Sequence, residues 1–445
     1  MTTTKSAAIA ALALVMSLTA APAARAENWP QWRGPALNGS STEKNLPEVL
    51  DKTTQVWEAP MPGPSFATPV VWGDRVFVSS LDPKGQTLLA LCVSRTDGKV
   101  LWQKEVAPGF SKNGRNNMAT PSPITDGKSV IFYYGTGDLA AFDLDGNELW
   151  KRSITKDHGQ FNVLWIYGAT GLLYKGTLYI PVLHRDVSVD RGARRDGGGA
   201  GNTPAKSESY LLAIDPATGK DKWKVVRPSE AREESLESYA TPIPWERPGR
   251  TEILVVGGDC ITGHDPETGK ELWRAGDWNP SRITHWRLVP SAVVGGDDIV
   301  LVCPPKGGKI FAVKGGGSGD VTQTHKAWTS PDLTSDVCVP LVYDGKFYIL
   351  DGDRKAISLM DAKTGKQLAN TALGGGAVFR ASPTGADGKI YCVNEAGDTW
   401  VVSADDLRVL GKSSLGGKTT DATIVVANGT VLVRTADKLY AFAKK

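Results

Sequence analysis

Cysteine is scarce in this 445-residue chain, and its five copies are scattered: Cys92, Cys260, Cys303, Cys338 and Cys392 include no adjacent pair and no Cys-x-x-Cys. An odd count with that spacing argues against a disulfide framework and against zinc. Each cysteine falls singly within a separate apolar run, which predicts buried, inert thiols. Histidine is equally rare, at five. No His/Cys metal spacing, nucleophile motif or glycine-rich phosphate loop is present, so no metal site is expected. Charge of one sign is also missing. Lys and Arg total 51 against 48 Asp and Glu, a net +3, which offers no footing for nucleic acid or an anionic membrane. Long hydrophobic runs are confined to residues 7–21, behind Lys5 and before Ala24-Arg25-Ala26. That run is too short for a membrane span and reads as a secretory signal over 1–26, cleaved after Ala26. Its removal leaves a charge of about +1 and a monomeric chain expected in the periplasm or outside the cell.

What the chain has in abundance is one repeated turn. Residues 263–273 read Gly-His-Asp-Pro-Glu-Thr-Gly-Lys-Glu-Leu-Trp, residues 213–223 nearly the same, and residues 141–150 a version one residue shorter. Asp starts such a turn by bonding its own backbone, Pro presets φ, and Gly takes the positive-φ place. The closing tryptophans Trp57, Trp102, Trp150, Trp223, Trp273 and Trp328 are 45, 48, 73, 50 and 55 residues apart, near the period of propeller blades. The long interval holds an insertion at 184–209, rich in Gly, Arg, Asp and Ser, expected to be mobile surface. A second marker, Ala-Thr-Pro at 67–69, 119–121 and 240–242, has variants at 169–171, 288–290, 338–340, 381–383 and 422–424. Eight units of four short strands predict an all-β, eight-bladed propeller over 55–445. The last unit lacks its fourth strand and the first is preceded by an orphan strand around Trp57. Pairing the two would close the ring and remove its free edge. Residues 27–54, with Trp29, Trp32 and Arg33, form an aromatic lead-in read as a plug across the propeller or as an aromatic platform for a ligand. The acidic run 229–238 is expected to be a solvated rim.

The segment Ala-x-Asp-x-x-Thr-Gly-Lys-x-x-Trp resembles the tryptophan-docking repeat of pyrroloquinoline-quinone (PQQ) propellers, and Trp-Pro-x-Trp-Arg-Gly-Pro at 29–35 resembles the start of secreted PQQ-like propellers. The resemblance covers about residues 28–445 and implies that the six tryptophans pack between neighbouring blades. It implies one of two functional populations: quinoprotein dehydrogenases holding PQQ and Ca²⁺ on the axis, or BamB-like propellers that bind envelope proteins. The adjacent Cys-Cys pair of many of those alcohol dehydrogenases is missing, and the family's calcium ligands and catalytic Asp do not map onto this chain.

Register supplies candidate site residues. The residue before each marker should ring the axis: Phe66, Met118, Gly168, Tyr239, Arg287, Val337, Arg380 and Asp421. One place earlier stand Asn117, Tyr167, Trp286 and Asp336, with His285 alongside. Two arginines, an acid and aromatics at one mouth suit a planar anionic ligand, PQQ or an acidic sugar among them. The bland counterpart is an Arg287–Asp421 or Arg380–Asp421 ion pair satisfying the tunnel. His285 is a candidate proton acceptor, and Asp336, Asp421 and Asn117 are the acids and amide that register offers to a base or Ca²⁺. The expected function is a non-catalytic binding or scaffold protein for an envelope partner or small anionic ligand. Its alternatives are a PQQ- and Ca-dependent dehydrogenase of alcohols or sugars, or another enzyme or sugar-binding role at the axial mouth.

Overall fold

The computed structural model describes residues 27–110, 116–190, 199–204, 207–304, 309–330, 333–416 and 421–445. Residues 1–26, expected to be a secretory signal, and parts of the insertion, with Arg191, Arg194 and Arg195, lie outside the described residues.

Short strands of two to nine residues, punctuated by Gly-Asp, Asp-Gly and Asn-Gly turns, fold into eight four-stranded antiparallel blades. The first blade runs Val70–Trp72, Arg75–Asp82, Thr87–Ser94 and Val100–Pro108. The last blade has only three strands of its own, and Gln55–Pro60 supplies the fourth by pairing antiparallel with Lys438–Phe442. The ring therefore closes as expected. The third blade carries the insertion as a separate hairpin, Val187–Asp190 against Gly199–Pro204. The fourth blade gains a short parallel fifth strand, Gly319–Asp320.

The core is not one mass but a ring of eight clusters, each between two adjacent blades. One joins Val70 and Phe77 to Val130 and Phe132, and another joins Trp57 and Ala441 to Val76 and Leu91. Middle strands are buried on both faces and so read as continuous apolar runs rather than alternating ones. All five cysteines are free and buried within this ring.

The docking tryptophans join consecutive blades. Trp57, Trp102, Trp150, Trp223 and Trp328 donate their indole N–H to Arg95, Leu144, Pro216, Pro266 and Ala362 carbonyls, each in the turn of the following blade. That turn's glycine lets the ring approach. At Gly146, φ is +87° and a Cβ would stand 2.8 Å from the Trp102 ring. Trp273 departs from the expected pattern. It packs between blades four and five, but its N–H goes to Glu252 of its own blade at 2.5 Å. Blade five lacks the Asp-Pro-x-Thr-Gly turn, and its Gly315 lies against Trp245 instead.

The lead-in crosses the end of the ring where the innermost strands finish. Trp29 pairs with Val71, Gln31 bonds both ways with Leu173, and Arg33, buried, donates to the Pro340 and Pro383 carbonyls. Burial pulls the Arg33 pKa down to about 9. No helix among the described residues is long and apolar enough to cross a membrane.

Candidate functional site

A hydroxyl at the start of seven of the eight innermost strands sets the register of the tunnel, with Val339 in its place in blade six. Thr423 N donates to Thr68 Oγ1 (3.1 Å), Thr68 N to Ser122 Oγ (3.0 Å), and Ser122 N to Thr170 Oγ1 (3.0 Å). Thr170 N then donates to Thr241 Oγ1 (3.2 Å), Thr241 N to Ser291 Oγ (2.8 Å), and Val339 N to Ser382 Oγ (3.0 Å). These links make Ser122 and Ser291, not Thr120 and Val289, the equivalents of Thr68. The markers chosen at 119–121 and 288–290 are thus two residues out of register. In a strand, a slip of two keeps the side chain on the same face. Arg287 consequently still faces the axis, one layer further out, and Thr120 stands in the place expected for Met118.

The axial cavity has about 330 Å³ of free space, enough for a small ligand. Its inner layer is formed by the hydroxyls, its next by Phe66, Gly168, Tyr239, Val337, Arg380 and Asp421, and Trp32 of the lead-in closes it from below. Arg287 and Trp165 complete the wall on one side and Glu395 on the other.

Charge is distributed unevenly. Arg380 Nη2 pairs with Asp353 at 2.8 Å, and its Nε lies 3.9 Å from Glu395. Arg287 Nε lies 3.3 Å from Glu234 Oε1, which also accepts the Trp165 indole N–H at 3.1 Å. Neither arginine pairs with Asp421, contrary to the ion pairs read from register. Asp421 keeps one buried oxygen without a partner. Burial, with Glu395 adding to it against the pull of Arg380, pushes its pKa up to about 7. It can therefore donate or accept near neutrality. Tyr239 Oη donates to Glu237 Oε2 at 2.7 Å, and Leu164 N donates to the same oxygen at 3.0 Å. Glu237 is fully buried, with burial raising its pKa to about 8. Arg185 Nη1 stands 3.6 Å from its other oxygen. These positions correct two expectations: the acidic run turns Glu234 and Glu237 inward, and Arg185 of the insertion is buried.

Other register candidates fall elsewhere. Asn117 is absorbed in its own turn, accepting Ala119 N and receiving Thr120 Oγ1 on its carbonyl, and its neighbour Asn116 lines the cavity instead. Tyr167 packs with Phe161 and Tyr133 and donates to the Pro181 carbonyl. Odd steps from the inner hydroxyls point away from the axis, which explains both. His285 is exposed, Trp286 packs against the core between blades four and five, and Asp336 is buried off the cavity with both oxygens unpaired. Trp165 and Glu395 carry no sequence signal. They lie outside the innermost strands, in the connection before blade three and in a turn of blade seven.

The cavity's donors do not fit a tricarboxylate such as PQQ with calcium. Its two guanidiniums, already beside the carboxylates of Glu234, Asp353 and Glu395, cannot balance three more, and Asp421 faces the same space. Among the described residues no three His, Cys, Asp or Glu side chains converge on one metal position.

A family model of PQQ-type repeats described as outer membrane protein assembly factor BamB matches residues 49–164, 204–338 and 319–445. Curated protein sequences yield no significant match. Among solved structures, a europium-containing methanol dehydrogenase superposes with a TM-score of 0.67 at 12% identity, covering 94% of this chain and 98% of that one. BamB from Moraxella catarrhalis gives 0.59 at 14%, covering 88% and 99%. A quinohemoprotein alcohol dehydrogenase from Comamonas testosteroni gives 0.59 at 11%, covering 94% and 80%. At such identities the likeness is one of fold.

Proposed function

The chain belongs to the PQQ-repeat propeller family described as outer membrane protein assembly factor BamB, and from that premise we propose that it is an extracytoplasmic binding protein whose axial cavity takes a small carboxylate-bearing ligand. One observation carries the reading: Arg380, Arg287, Tyr239 and Asp421, drawn from four blades, face one cavity over a tryptophan floor. Purely structural tunnel positions would be apolar or small. Here Asp421 keeps one buried oxygen unpaired, which costs stability unless something binds it. The first 26 residues and the family both favour export, and amino-terminal sequencing of the protein from an envelope fraction should begin at Glu27.

The test is calorimetry and tryptophan quenching, since Trp32 and Trp165 line the cavity. Glucuronate serves as the acidic-sugar probe, and PQQ with Ca²⁺ runs in parallel. Saturable glucuronate binding, weakened about tenfold or more in Arg380→Ala, supports the reading. Binding of PQQ alone, at micromolar concentration or tighter, replaces it with the quinoprotein dehydrogenase reading.

A scaffold role on the outside of the ring has its own support. Val56, Leu101, Leu149 and Leu368 are each about half exposed at matching places on the outermost strands, one residue before the docking position. Such a repeated apolar rim suits an envelope protein partner. Pull-down from envelope extract should then be reduced by Leu101→Glu with Leu149→Glu.

A further inference from the structure

We propose that the layer of hydroxyls below the arginines selects the ligand, and that the ligand is a hydroxyl-rich ring acid of the uronate class. This rests on the axial cavity being a ligand site. Six hydroxyls line that layer: Thr68, Ser122, Thr170, Thr241, Ser382 and Thr423. All are more than nine-tenths buried. Five accept a backbone N–H from a neighbouring blade. A hydroxyl has one proton to donate besides its lone pairs. Among the described residues none of these six protons has an acceptor, so the cavity is where they can be used. The arginines above them differ, because both already hold carboxylates.

The six do not encircle the axis. They come from blades seven, eight, one, two, three and four in unbroken succession. Across the remaining gap, blade six presents Val339 in this layer, with Val289 and Val337 one layer above it, and Ser291, the hydroxyl equivalent in blade five, is not on the cavity. The layer is therefore a donor arc opposite an apolar patch. A ring ligand with oxygens along one edge and C–H groups along the other matches it, lying across the axis with its carboxylate toward Arg380. A flat aromatic acid would leave the buried hydroxyl protons unsatisfied, which is costly.

Thr423 gives the clean test, since its hydroxyl makes no hydrogen bond within the described residues and Thr423→Val removes no inter-blade link. Binding of glucuronate is compared with that of cyclohexanecarboxylate, a ring acid without hydroxyls. The wild type should prefer glucuronate by at least about tenfold. Thr423→Val should lose about tenfold for glucuronate and leave cyclohexanecarboxylate unchanged. Thr423→Ser should behave as the wild type, and Arg380→Gln should weaken both probes alike. Equal losses for both probes in Thr423→Val, or none, overturn the arc as the selecting layer while leaving the cavity a ligand site. Failure of the wild type to bind either probe overturns both readings. A crystal structure of the glucuronate complex tests the arc without any variant. Ring oxygens bonded to these hydroxyls support it, and a ring held only by the arginines overturns it.

Discussion

Asp421 shows what one side chain gains from its place on the axis. Its carboxyl is lifted to about 7 by burial, so the native state holds a proton that the unfolded chain releases near pH 4. Between those values the folded form binds more protons, and stability falls as pH rises through the window. Asp421→Asn should therefore flatten the pH dependence, with the variant gaining about 2–4 kcal/mol on the wild type from pH 5 to pH 8. Urea unfolding at the two pH values checks it. An unchanged difference would show that Asp421 is ionised in the fold. His184 and His264 act in the opposite direction. Burial lowers each to about 4, so they destabilise only as pH falls below the ordinary imidazole range. Among the residues, the aromatic and charged character of this site was legible in part. Tyr239, Arg287, Arg380 and Asp421 all face the cavity because a period of two survives even a slipped register. Asn117, Tyr167 and Asp336 stand at odd steps, and period two carries them off the axis.

At the scale of the element, the repeated turn and its tryptophan form one device. The turn glycine exists to admit the indole of the preceding blade, and the turn carbonyl accepts its N–H. Trp57→Ala should cost about 3–5 kcal/mol, because it deletes a nearly buried ring at the seam where the chain closes. Gly146→Val should be at least as damaging, since both φ and the Trp102 ring oppose a side chain there. Thermal unfolding of both variants checks the pair, and a wild-type midpoint for either would break the link between turn and indole. The regular blades were readable because turn chemistry is local. The fourth and fifth were less so. Trp273 turns to Glu252, and Trp245 fills the place by Gly315, because the fifth blade's turn is a glycine-rich detour into a short parallel strand. Nothing in the local sequence announces which tryptophan will occupy that seam.

For the whole molecule, closure and plugging are separable. A chain beginning at residue 55 keeps the closing strand and loses the lead-in, with Trp32 and the buried Arg33 bonds. It should fold with a lowered melting midpoint and lose ligand binding. A chain beginning at residue 61 also loses the partner of Lys438–Phe442 and exposes a sheet edge, so it should aggregate. Size-exclusion chromatography with thermal melts distinguishes them, and equal behaviour of the two truncations would refute the separation. By itself the sequence determined the blade count, the four-strand unit and the closure. These follow from turn residues, strand periodicity and an unpaired strand at each end, all properties of neighbours along the chain. Only the tertiary structure decided the register between blades, the partners of Arg287 and Arg380, and the presence of Trp165, Glu237 and Glu395 near the axis. Those depend on hydrogen bonds and burial between segments tens to hundreds of residues apart, and local pattern carries no record of such pairings.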